Sequence, residues 1–265
     1  MQIRRLSAAL CRVRISTISS KVVKAAAILF WLLVWHIAAV VIGERILLVS
    51  PVTVVARLLE LLRDAEVWHA AAFSTLRICC GFLLSLVLAV ILAAAASCIR
   101  WVRIALEPLV QAFKVVPVAS IVIVVLIWVS SRNLSVIISF MMVFPVLYTN
   151  LLSAIDSTDR DMLEMSRVFR LSRYRKFRLV YLPQVYPYFL SSSSLSLGLA
   201  WKSGVAAEVI GIPSGSMGDL LYEAKIFFAT ADVFAYTLLI VMLSVGFEFV
   251  MKSLIRAVGR RLEAV

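Results

Sequence analysis

The feature that most constrains this chain is the repetition of apolar stretches long enough to cross a lipid bilayer. A helix needs about 20 mainly apolar residues to cross the hydrocarbon core. Six segments approach or exceed that length, at roughly 24–43, 73–98, 107–129, 133–155, 184–210 and 233–255. Because hydrophobic residues make up 63% of the chain and charged residues only 16%, a water-soluble domain could not cover its apolar surface. The sequence therefore predicts an all-α membrane protein with about six transmembrane helices.

The positive charges predict how these helices are oriented. If the amino terminus lies in the cytoplasm, 19 of the 27 Lys and Arg residues fall in cytoplasmic segments and only five fall in outside loops, as the positive-inside rule requires. The predicted cytoplasmic segments are 1–24, 99–104, 156–182 and 252–265. Both termini are then cytoplasmic. The domain organisation is a basic segment, a transmembrane domain and a short tail, at 1–24, 25–255 and 256–265.

Several functional classes are excluded by what the sequence lacks. The net charge of +12 is not accompanied by a recognisable nucleic-acid-binding fold. The four cysteines have no metal-ligand spacing, His36 and His69 stand singly, and no phosphate-binding Gly-Lys-Ser/Thr loop appears. We therefore expect no catalytic residues, no metal site, no cofactor in this chain and no nucleic-acid partner.

Two outside loops are predicted to be structured, at 51–69 and 211–232. Residues 51–69 place leucines between charged residues, which indicates a short amphipathic helix along the outer surface, beginning at Pro51.

The loop at 156–182 carries more information than its charge. Acidic residues come first and basic residues follow, which suits the helix macrodipole, and Ser157 or Thr158 is placed to cap the helix. Apolar residues recur at helical spacing among these charges, at Met162, Met165, Val168 and Phe169. We predict one or two short helices with an apolar face toward the cytoplasm. The alternative, a solvated loop whose bases only set the topology, explains the charge but not the apolar stripe.

The loop also resembles the Glu-Ala-Ala motif of permease subunits of bacterial ATP-binding-cassette importers. In that family a Glu-Ala-Ala, a following glycine and a later Leu-Pro mark the coupling helices. The corresponding positions here are Glu164, Met165, Ser166, Arg170, Leu182 and Pro183. The segments "STLRICCGFLLSLVLA", "PLVQAFKVVPVASIVIVVLIW" and "LGLAWKSGVAAEVIG" followed by "GSMG" are similar to the nitrate/sulfonate/taurine branch of these permeases. The resemblance covers roughly residues 45–255.

This resemblance implies a type I importer permease fold in the bacterial cytoplasmic membrane. It implies two cytoplasmic ATPase subunits that carry the ATP and Mg²⁺, a second permease copy, an extracytoplasmic solute-binding protein, and a small anionic or polar solute such as a sulfonate, nitrate or taurine. The expected ATPase-coupling residues are Asp161, Glu164, Met165, Ser166, Phe169, Arg170, Leu182 and Pro183. Arg170 stands where the family has glycine, so a left-handed turn at Arg170 would cost about 1 kcal/mol or more.

Possible translocation-path residues lie in the third and fifth predicted spans. Lys202 would be costly inside a bilayer unless it faces a water-filled path, pairs with an acid or extends to the membrane surface. Trp201, Glu208 and Pro117 are the other candidates, while the serines at 191–194 suit close helix packing. A stand-alone secondary transporter or channel remains the alternative function, although the chain shows no internal repeat.

Overall fold

The computed structural model describes residues 20–44 and 46–264. All of its regular elements are helical. The main helices are α1 Ser20–Ile42, α2 Pro51–Leu61, α3 Ala65–Cys98, α4 Arg100–Val115, α5 Val118–Leu126, α6 Leu134–Asp156, α7 Arg160–Val168, α8 Arg173–Lys176, α9 Leu182–Gly211, α10 Met217–Ile226 and α11 Thr230–Ala264. A 3₁₀ turn precedes α6 at Ser131–Asn133, and a π-helical turn precedes α9 at Phe177–Tyr181. The prediction of an all-α chain is therefore confirmed for the described residues.

The centre of the bundle is formed by α3, α6 and α9, which approach one another closely because small residues lie at their contacts. A Cβ built on Gly81 of α3 would lie 2.9 Å from the Cβ of Ser139 on α6. A Cβ built on Gly204 of α9 would lie 2.6 Å from Ile78 and 2.7 Å from the Ser139 hydroxyl. That hydroxyl donates to the carbonyl of Ala200 at 3.1 Å. Small side chains thus set the spacing of the three central helices.

Ion pairs join helices at both ends of the bundle. Arg57 on α2 donates to the carboxylates of Asp232 on α11 and Glu60 on α2. These hydrogen bonds raise the pKa of Arg57 above its usual value. At the other end, Arg103 on α4 contacts Asp156 at the end of α6, with 2.8 Å between nitrogen and oxygen. These ion pairs attach α2 to α11 and α4 to α6.

The predicted third span, 107–129, is not a continuous helix in the structure. The chain forms α4 and α5 instead, and the two helices are bent by 108° at the break between them. Val116 at the break is extended, with φ −70° and ψ 129°, because a residue before proline is driven out of the helical region. The proline responsible is Pro117.

The predicted amphipathic helix 51–69 is also too long. It ends at Leu61, and the residues from Ala65 onward already belong to α3. The Asp64 side chain accepts a hydrogen bond from the Glu66 N–H at 3.0 Å and so caps the start of α3. A new helix therefore begins within the predicted segment.

Fewer helices meet the length and hydropathy of a membrane span than the six that the sequence predicts. Four described helices are long and apolar enough to cross a bilayer, or five if α4 and α5 together count as one broken span. The remaining predicted span, 184–210, is present as the continuous helix α9, but its serines and Lys202 lower its hydropathy. The segment 1–24 lies mostly outside the described residues, and the orientation of the termini stays a prediction.

Candidate functional site

The loop between α6 and α9 is attached to the bundle at the start of α7. The Asp159 side chain accepts a hydrogen bond from the Asp161 N–H at 2.8 Å and caps this helix, so the prediction of Ser157 or Thr158 as the cap was wrong. The Asp159 N–H donates to the side-chain carbonyl of Gln184 on α9 at 2.9 Å. The beginning of α7 is therefore joined directly to the first turn of α9.

The turn after α7 uses a left-handed residue where the sequence has arginine. Arg170 has φ 49°, its N–H donates to the carbonyl of Arg167 at 3.0 Å, and the Leu171 N–H donates to the carbonyl of Ser166 at 3.0 Å. These bonds satisfy carbonyls at the end of the helix. The expected left-handed turn is thus present with Arg170 at its centre, at the cost of a positive φ for a residue with a side chain.

Ser166 and Met165, the two residues at the family's alanine positions, have opposite environments. Ser166 is buried and its hydroxyl donates to the carbonyl of Leu163 at 2.6 Å, so a small side chain is accommodated there. Met165 is exposed and belongs to the predicted apolar stripe. The stripe is exposed along its length, with Val168 at 80% and Phe169 at 68% exposed.

We call this exposed stripe the loop face, consisting of Met162, Met165, Val168 and Phe169. Glu164 is exposed on the same helix, and no ion pair among residues 20–44 and 46–264 includes it. At the end of the loop, Leu182 is half-buried and Pro183 is exposed. The loop face therefore presents apolar side chains with a free carboxylate beside them.

The four candidate path residues divide into two exposed and two buried positions. Lys202 and Pro117 are exposed on the single subunit. Trp201 is 2% exposed and packs on Phe247 of α11, with 6.1 Å between ring centroids. Trp201 and Glu208 thus lie inside the subunit, whereas only Lys202 and Pro117 lie on its surface.

Glu208 forms a buried polar cluster that links α3, α9 and the start of α10. Its side chain is 0% exposed, and its Oε2 accepts hydrogen bonds from the Ser74 hydroxyl at 2.6 Å and from the Gly218 N–H at 3.4 Å. The Ser74 hydroxyl in turn accepts from the Met217 N–H at 2.9 Å. Two first-turn N–H groups of α10, which have no partner within the helix, are satisfied in this way.

The sequence did not indicate this cluster. Ser74 and Glu208 are 134 residues apart, and neither the apolar pattern nor the charge pattern relates them. The one local signal is Gly218, because a Cβ there would lie 2.6 Å from the backbone nitrogen of Val209 on α9. No group of three or more His, Cys, Asp or Glu side chains that could hold a metal ion occurs in the described part of the chain.

Comparison with known proteins gives consistent matches. Residues 82–264 match the family described as "Binding-protein-dependent transport system inner membrane component". A putative aliphatic sulfonates transport permease protein, SsuC of Bacillus subtilis (strain 168), is 30% identical over 188 residues, which are 70% of this chain and 67% of the relative. SsuC of Escherichia coli (strain K12) is 30% identical over 79% of this chain and 80% of its own length. The taurine transport system permease protein TauC of Escherichia coli (strain K12) is 24% identical over 86% of this chain and 83% of its own length.

Proposed function

This chain belongs to the family of binding-protein-dependent transport system inner membrane components, and on that premise we propose that it couples ATP hydrolysis in partner subunits to import of a small solute. The proposed solute is anionic or polar. In this proposal the chain itself hydrolyses nothing. Two ATPase subunits carry ATP and Mg²⁺, a second copy of this chain completes the path, and an extracytoplasmic binding protein delivers the solute.

The observation that carries the proposal is the loop face. Four exposed apolar side chains on and after a short helix form a surface that is unfavourable in water unless a partner covers it. A membrane surface could bind an amphipathic helix, but the start of α7 carries Asp159, Asp161 and Glu164. A protein groove with basic residues would accept these carboxylates, whereas the basic residues later in the loop fit either kind of surface. A cytoplasmic ATPase subunit fits this requirement.

The attachment of the loop supports the coupling role. Because Asp159 donates its N–H to Gln184, a displacement of α7 is passed directly to α9. The left-handed turn at Arg170 reverses the chain at the end of the loop face and sends it back toward α9. A rigid loop of this kind transmits motion, while a slack loop would absorb it.

The relatives suggest the class of solute. The names of the two SsuC proteins refer to aliphatic sulfonates, and TauC is named for taurine. We extend this class to the present chain as a proposal: a small solute that carries a sulfonate or a similar oxyanion.

The test is co-purification of the tagged chain from its native host in mild detergent, followed by mass spectrometry. We expect a nucleotide-binding ATPase to accompany the parent chain. Glu164→Arg should reduce the recovered ATPase at least about tenfold, because reversing a charge in a docked interface costs more than about 1.4 kcal/mol.

Glu223→Arg is the matched control, because Glu223 is an exposed carboxylate on α10, far along the chain from the loop face. It should recover as much ATPase as the parent. Absence of any ATPase in several detergents, while circular dichroism shows a folded chain, would contradict the proposal. A stand-alone transporter or channel would then be the better account.

A further inference from the structure

One face of α9 is exposed along the middle of the helix, where the other residues from 189 to 201 are buried or half-buried. Tyr188, Ser191, Leu195 and Lys202 follow one another at spacings of three, four and seven residues, and all four are exposed. Gly198 lies between them, with no atom within 4 Å of a Cβ built at that position. We call this surface the open face of α9. The exposed valines, leucines and phenylalanines elsewhere on the bundle form apolar surface, whereas this face also carries the charge of Lys202 and the small residues Ser191 and Gly198.

Lys202 lies too deep in α9 to reach either membrane surface. It is nine residues before Gly211, which at 1.5 Å per residue places it about 14 Å from the outer end of the helix. Side chains on a helix lean toward its amino terminus, and 20 residues separate Lys202 from Leu182 in that direction, or about 30 Å. If Gly211 marks the outer edge of the hydrocarbon core, which is about 30 Å thick, the ammonium group lies near mid-depth.

No acid in the described part of the chain neutralises Lys202. None of the ion pairs among residues 20–44 and 46–264 includes it. Glu208 is six residues further along α9, buried on the packed side, and its Oε2 already accepts from Ser74 and Gly218. A charged side chain at this depth is strongly unfavourable against lipid, so we expect the open face to look onto water.

The break between α4 and α5 gives a second observation, because α5, which begins at the break, packs against the same buried cluster as α9. Val118, directly after Pro117, and Leu199, one turn before Lys202, pack against the same buried cluster. Pro117 and Val116 are themselves exposed. Non-helical backbone at membrane depth is tolerated only where protein covers it or water reaches it. The exposed break and the exposed ammonium therefore point to one water-filled space.

We propose that Lys202 makes the translocation path selective for anions, so that the path takes a small solute bearing an oxyanion and disfavours cations. This inference rests on the proposed function, in which the open face lines the path and a second copy contributes a second Lys202. Two ammonium groups facing the path attract an oxyanion and repel a cation of similar size.

The test measures the charge preference of the path directly and does not require the natural solute. Leu195 on the open face is changed to cysteine in a chain whose own cysteines are replaced, namely Cys11, Cys79, Cys80 and Cys98. The complex purified with its ATPase is then treated with one anionic and one cationic methanethiosulfonate of similar size. Each rate is divided by the rate of the same reagent with free cysteine in solution.

We expect both reagents to react and the anionic one to be favoured. Leu195 and Lys202 are seven residues apart, or about 10 Å along the helix. Even with the dielectric constant of water, one ammonium at that distance changes the anionic-to-cationic rate ratio about fourfold at low salt. Lys202→Gln should remove this preference, Lys202→Arg should keep it, and Lys225→Gln, which removes an exposed lysine on α10, should leave it unchanged.

Two results would overturn the inference while leaving the proposed function intact. If the ATPase co-purifies but neither reagent modifies the cysteine at position 195, lipid or protein covers the open face. If both reagents react and Lys202→Gln does not change their ratio, Lys202 does not set the charge preference. Loss of the ATPase from the parent preparation instead contradicts the proposed function, and the rate ratio still decides the role of Lys202.

Discussion

Replacing Glu208 by alanine should destabilise the protein strongly, whereas replacing it by glutamine should not. The carboxylate is completely buried and accepts hydrogen bonds from the Ser74 hydroxyl and the Gly218 N–H. Alanine removes the acceptor and leaves both donors without a partner in a water-free region. Glutamine keeps an acceptor oxygen, and its amide can donate to the nearby Ser135 hydroxyl, which lacks a hydrogen-bond partner among the described residues.

The magnitude follows from the number of donors left unpaired. Each buried polar group without a partner costs about 1–3 kcal/mol, so Glu208→Ala, which leaves two donors unpaired, should lower the free energy of unfolding by about 2–6 kcal/mol. Glu208→Gln should change it by less than about 1 kcal/mol, because the donors stay satisfied. For a chain of this size, 1 kcal/mol corresponds to about 2–4 °C in the unfolding midpoint. The alanine variant should therefore unfold at least about 5 °C below the parent.

The assay is the apparent unfolding midpoint in detergent, followed by the fluorescence of the six tryptophans. Detergent, protein concentration and heating rate must be the same for every variant, because the midpoint of an irreversible unfolding transition depends on the heating rate. Glu223→Ala, which removes an exposed carboxylate, should stay within about 0.5 kcal/mol of the parent. The reasoning is refuted if Glu208→Ala unfolds with the parent, or if glutamine costs as much as alanine.

Two backbone predictions use the same measurement. Arg170→Gly should raise the midpoint by a few degrees, because glycine adopts the positive φ of 49° without the cost of about 1 kcal/mol that arginine bears. An unchanged or lower midpoint would indicate that contacts of the Arg170 side chain offset this cost. Gly81→Ala should lower the stability by about 1–3 kcal/mol, because its Cβ would meet the carbonyl of Val136 and lie 2.9 Å from the Cβ of Ser139. Gly198→Ala, with open space around its Cβ, is the matched control and should be neutral or slightly stabilising.

The long helices could be predicted because their signal is local. The predicted spans 133–155 and 184–210 correspond within two residues to Leu134–Asp156 and Leu182–Gly211, since apolar runs and their polar ends mark helix limits. The break at Pro117 was missed because apolar residues flank it directly, and the segment reaches the length of a span only when it is continued through Pro117 and Lys114. The steric effect of proline on Val116 was the signal that could have revealed it.

The candidate site was predictable where its signal lies within one short segment, and it was not predictable where it depends on distant segments. The loop face follows from residues spaced three and four apart within one short segment, and the helices there carry these side chains outward as expected. The environment of Glu208 depends on Ser74 and Gly218 from other elements, and the burial of Trp201 depends on Phe247. Contacts between distant segments are fixed by how whole helices pack, which the local patterns of one sequence do not reveal.

The single helix α9 connects the three regions that the proposals invoke, and its attachments limit how it can move. Gln184 holds the loop near the amino-terminal end of α9, and Glu208 holds α3 and α10 near its carboxyl-terminal end. If Glu208 is the fixed point, Gln184 lies about 36 Å from it and Lys202 about 9 Å, at 1.5 Å per residue. A tilt that displaces the loop by about 5 Å then displaces Lys202 by little more than about 1 Å. ATPase movement would thus open the inner part of the path widely while leaving the charge of Lys202 almost in place.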